Sequence, residues 1–123
     1  MSLAAYRRTN SITEAPRAAE RRLMTEITAE MIAARDAERY GQALMEPLHR
    51  NRELWGIFSA TCGAHGNELP KALRASIISL ALWVDRYTSN VVAGRETIDG
   101  LISVNMAIID GLGSLQPDNA AAA

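Results

Sequence analysis

The chain has 123 residues, 48% hydrophobic and 22% charged, with a net charge of −1. That length supports a single domain with its own core, and the composition excludes a disordered chain. The near-zero charge excludes a whole-molecule attraction to nucleic acid or anionic lipid. Two Trp, three Tyr and one Phe are too few aromatics to build a core, which must come from Leu, Ile, Val, Met and Ala and so favours packed helices.

Residues 1–15 are polar, with Leu3, Tyr6 and Ile12 as their large apolar side chains, and read as an N-terminal arm. Five Arg against Glu14 and Glu20 give residues 1–25 a local excess of +3, read as a solvated helix face. Pro16 suits the first position of a helix, where its missing N–H is harmless. From 16 to 37, Leu23, Ile27, Met31 and Ala34 share one face, with Met24 and Ile32 beside it. A second helix is expected over 38–62, on the stripe Tyr40, Leu44, Leu48, Asn51, Trp55, Phe58 and Cys62, kinked or split at Pro47.

The stretch "CGAHGNELP" reads as a loop. A third helix over 70–93 carries Leu73, Ile77, Leu80, Val84, Tyr87 and Val91 on one row, with Ile78, Ala81 and Leu82 beside it and Trp83 widening the arc. Gly94 stops it. The fourth, over 96–112, turns Ile98, Leu101, Ile102, Asn105, Ile108, Ile109 and Leu112 inward. Residues 114–123 read as a flexible tail. The expected architecture is all-α, an antiparallel bundle of four main helices spanning residues 16–113.

Chemistry-bearing patterns are scarce. No glycine-rich phosphate loop is present. Cys62, His65 and His49 lack the further ligand of a metal site, and the same His and Cys lack the orienting group of a nucleophilic pair. No catalytic residue, metal or cofactor is expected. Cys62 is alone, which fits a reducing compartment. No apolar run approaches the roughly 20 residues of a membrane span, and no secretory signal opens the chain. A cytoplasmic, non-membrane protein is expected.

Two features remain. Asn51 and Asn105 fall on apolar stripes, where buried amides need partners and a structural polar pair is the expected role. The third helix is apolar around most of its circumference, more than a small bundle can cover. Its outer arc, Ile78, Leu82 and Trp83 with Arg74 and Arg86 alongside, has the residue types of a protein-docking patch. Such a patch suits an amphipathic helix.

The stretches "SLAAYRRT", "APRAAERRL", "NRELWGIF", "LPKALRASIISLALWVDRYTSNV" and "LISVNMAIIDGL" together resemble the FlaF family of flagellar biosynthesis regulators of alphaproteobacteria, in order, over roughly residues 2–112. The resemblance implies a cytoplasmic, non-enzymatic protein needed for flagellin production and export, acting with flagellin and with the translational regulator FlbT. A flagellin-binding chaperone fits both family and physics. Ile78, Leu82 and Trp83 would be its apolar anchors, Arg74 and Arg86 would pair with polar groups of the incoming helix, and Tyr6 would belong to the site or cover it. The alternatives are a scaffold for the partner regulator and a direct binder of flagellin messenger RNA, which the charge disfavours. A monomer or weak homodimer is expected.

Overall fold

A computed structural model describes residues 16–39, 41–64 and 69–113. Four helices are present among them: α1 (Pro16–Asp36), α2 (Gln42–Gly63), α3 (Lys71–Val92) and α4 (Asp99–Gly113). The described residues contain no strand, and the architecture is all-α. The arm over 1–15, with Tyr6, and the tail over 114–123 lie outside the described residues.

The helices follow one another around the bundle as α4, α1, α2, α3. The contact of α2 with α3 is the most extensive, α1 packs on both α2 and α4, and α3 meets α4 over a short stretch only. Neighbours run antiparallel, as short connections dictate. The stripes set these contacts: Leu23, Ile27, Met31, Leu48, Trp55, Phe58, Ile77, Val84 and Leu101 all lie in the interior. Glu20, seven residues before Ile27, falls on the same inward face and is buried.

Two expected boundaries move, each for a backbone reason. α2 begins at Gln42 rather than Glu38, because Glu38 takes a left-handed conformation, φ 52°, and closes α1. Its N–H donates to the Arg35 carbonyl at 3.0 Å and the Arg39 N–H to the Ala34 carbonyl at 3.0 Å, the bond pair of a Schellman cap. Gly94, φ 77°, ends α3 with the same pair of bonds, to Val91 at 3.0 Å and from Arg95 to Asn90 at 2.8 Å. The Glu96 N–H also turns back to the Asn90 carbonyl at 3.3 Å, and the Ile98 carbonyl accepts from Ile102 at 3.2 Å to open the next helix, so α4 starts at Asp99 rather than at residue 96. α2 is not split: it runs unbroken through Pro47, whose place in the second turn removes only the bond to the Ala43 carbonyl.

At the centre of the bundle lies a polar cluster. Asn105 Nδ2 donates to Asn51 Oδ1 at 2.8 Å and to Thr28 Oγ1 at 3.0 Å. Its Oδ1 accepts from Trp55 Nε1 at 2.8 Å. Asn51 and Asn105 are both fully buried. One side chain of α4 is thereby tied to α1 and α2 at once, which fixes the register of three helices. Asn51 Nδ2 is left without an acceptor.

Candidate functional site

α3 divides lengthwise. Ile77, Val84, Thr88 and Val91 point into the core. Trp83 and Tyr87 form one flank, rings stacked 4.5 Å apart, half-buried beside the start of α4. Tyr87 Oη donates to the Thr97 carbonyl at 2.9 Å. Gly100 admits the ring: a Cβ there would come within 2.6 Å of Tyr87 Cζ and Oη. Desolvation and the nearby Glu96 carboxylate raise the Tyr87 phenol above its ordinary value. This flank closes the short contact between α3 and α4.

The other flank is open. Ile78 is 37% exposed and Leu82 65%, one turn apart on the side that borders α2. Arg74, one turn before Ile78, is half-buried, and its Nε is buried with no hydrogen-bond partner. Arg86, one turn beyond Leu82 and exposed, makes no ion pair among the described residues. Helical spacing puts Ile78, Leu82 and Arg86 on one arc, with Trp83 turned about 100° from Leu82, toward α4. Tyr6 lies outside the described residues.

The border with α2 is set by Arg52. Its Nη2 donates to the Asp85 carbonyl and to Ser89 Oγ, each at 2.7 Å. Its Nε lies 3.1 Å from Asp85 Oδ1, near enough for ion pairing though out of line for a hydrogen bond. Sequence reading finds the α3 half of this surface and misses Arg52, since the pairing of two helices is not written in either one.

Other concavities lie elsewhere among the described residues. A cleft of about 500 Å³ at the end of the bundle is floored by Leu44, Val91 and Ile98 and rimmed by the Arg35–Asp99 ion pair. Asp99 and Asp36 raise the pKa of Arg35 and hold it charged. A shallower groove of about 260 Å³ lies between α1 and α4, where Met106 is exposed beside Thr25, Ile32 and Ile109. Neither brings nucleophile and base together. The described residues hold no cluster of three metal-ligating side chains, and none of their helices is long and apolar enough to cross a membrane.

Comparison with protein families matches residues 2–112 to the family described as flagellar protein FlaF. The chain belongs to the FlaF family. No curated protein and no solved structure matches it. Membership makes this a flagellar protein, and the match runs from ahead of α1 into the last turn of α4.

Proposed function

We propose that this FlaF-family chain is a cytoplasmic flagellin-binding chaperone that docks an amphipathic terminal helix of flagellin and holds it until export. The observation that carries the reading is the Ile78–Leu82 ridge, exposed on a helix whose opposite face is core. Two large aliphatic side chains on a rigid, well-packed helix offer apolar area at little ordering cost to the protein itself. The basic side chains at either end, Arg74 and Arg86, add polar register.

The partner's helix orders as it binds, and that loss of entropy tempers the affinity, as a chaperone that must let go requires. Sequestering unassembled subunits also links export to synthesis, through the partner regulator FlbT. The protein performs no covalent chemistry in this role and needs no cofactor.

The test is calorimetric titration of monomeric flagellin into the full chain and into Leu82→Ser and Trp83→Ala variants. Binding near or below about 1 μM, roughly −8 kcal/mol, with a negative heat-capacity change is expected. Leu82→Ser should abolish it while leaving the fold intact. Trp83→Ala also strips the ring stacked on Tyr87, so its effect counts only if the variant stays folded. Absence of binding to flagellin, with binding to FlbT instead, would replace the chaperone by a scaffold.

A further inference from the structure

The described residues expose five large hydrophobic side chains, and four of them, Met45, Ile78, Leu82 and Val92, lie along a single seam. The heptad spacing shows it. Met45, Arg52 and Ser59 recur every seven residues on α2, and Ile78, Asp85 and Val92 every seven on α3. The helices are antiparallel and Arg52 bonds Asp85, so Ser59 stands opposite Ile78 and Met45 opposite Val92. Leu44 and Val91, the preceding residues of that last pair, line the same cleft, in keeping with that register.

The seam thus has three zones: an aliphatic ridge at Ile78 and Leu82, a hydrogen-bonded bridge at Arg52, Asp85 and Ser89, and a second aliphatic zone at Met45 and Val92. Ile78 to Val92 spans about 21 Å of helix. On the ridge side α2 offers Gly56 and Gly63, where an added Cβ would meet open space. The α2 wall is therefore low there, and a third helix can settle close to the backbone.

Charge narrows the occupant. Asp85 is matched by Arg52, but Lys71 and Arg74, at the ridge end, have no acidic partner among the described residues. Among the described residues, the unmatched charge at the ridge end of the seam is positive.

We infer that the seam between α2 and α3 seats the docked helix, and that its occupant is an amphipathic helix of about 14 residues or more with an acidic side chain over Arg74. Apolar side chains lie on both aliphatic zones, and an amide or hydroxyl meets the Arg52–Asp85 bridge, which is polar but balanced in charge. This rests on the helix-docking function above and specifies its seat and the chemistry of its ligand. Both flanks of α3 are thereby distinguished: Tyr87, stacked on Trp83, braces α4, and the partner lies on the side away from it.

The methionines supply the test, because Met45 is in the seam, Met106 is in the groove between α1 and α4, and Met24 and Met31 are buried. Full-length protein carrying ¹³C-methyl methionine is titrated with unlabelled monomeric flagellin, with Met45→Leu to assign the signal. The Met45 methyl should shift or broaden and the Met106 methyl should not. Arg74→Glu should weaken binding about tenfold at low salt, and the deficit should shrink as salt rises. Arg74→Gln, gentler on the fold, should show the same trend at smaller size. A shift at Met106 with Met45 unmoved would overturn the seam and leave helix docking standing. Unchanged affinity in both Arg74 variants would overturn the acidic match. Silence at every methionine together with no heat of binding would overturn the docking function and the seam with it.

Discussion

The bundle contains two polar bridges between helices, and they behave oppositely. The inner one joins Thr28, Asn51, Trp55 and Asn105 out of reach of water. The outer one joins Arg52 to Asp85 and Ser89 on the surface, with Arg52 38% and Asp85 67% exposed. A buried amide that loses its partner has no water to turn to, so the inner bridge constrains the fold. A part-exposed guanidinium exchanges one partner for solvent at smaller cost, so the outer bridge constrains the fold less. Structural polarity lies inside the bundle, and the outer bridge borders the surface proposed for docking.

The sharpest way to break that division is Asn105→Ala. It removes three hydrogen bonds at once and strands Trp55 Nε1 and Asn51 Oδ1 in the interior. We expect a loss of about 3–5 kcal/mol in urea unfolding. A loss under about 1 kcal/mol would mean that water reaches the cluster and that the inner bridge resembles the outer one. Gly100→Ala comes next, since its Cβ would overlap the Tyr87 ring. About 1–3 kcal/mol is expected from such overpacking. Shortening the ring in Tyr87→Leu should relieve most of it, so a double-mutant cycle would show strong coupling.

How much of this is legible in sequence depends on whether the signal is local. The stripe Leu23, Ile27, Met31 and Ala34 marks the inward face of α1, and all four are buried. Gly94 announces the end of α3 because its left-handed φ has a residue type of its own. Glu38 does the same work at the end of α1 without that announcement, and the expected start of α2 falls four residues early, at Glu38 instead of Gln42. Asn51 and Asn105 stand out as amides on apolar rows. Thr28 does not, since its hydroxyl also bonds back to the Met24 carbonyl at 2.7 Å, an arrangement common to helical threonines.

The surface follows the same rule. Ile78, Leu82, Arg74 and Arg86 sit on one helix, so periodicity finds them together. Met45 and Arg52 join them only through the α2–α3 register, which depends on packing. Trp83 shows a second use of packing. Composition marks it as an interface residue, yet its helical position turns it to Tyr87 and the α4 side.

The outer bridge gives a smaller effect. Arg52→Ala should cost about 0.2–1 kcal/mol, diminishing as salt is raised. A loss comparable to that of Asn105→Ala would show that α2 and α3 depend on this contact for their register, and the seam would then be structural.

The smallest expected effect decides most. Leu82→Ser exchanges a large, two-thirds exposed side chain for a small polar one on a helix surface. Stability should change by no more than about 0.5 kcal/mol in either direction, since little buried area is lost and serine is only a modestly poorer helix former than leucine. A structural residue with that much apolar surface would show itself here by a larger loss on unfolding. If thermal and urea unfolding stay put while flagellin binding disappears, Leu82 is exposed for a partner rather than for the fold, and the outer face of α3 is a surface shaped by recognition.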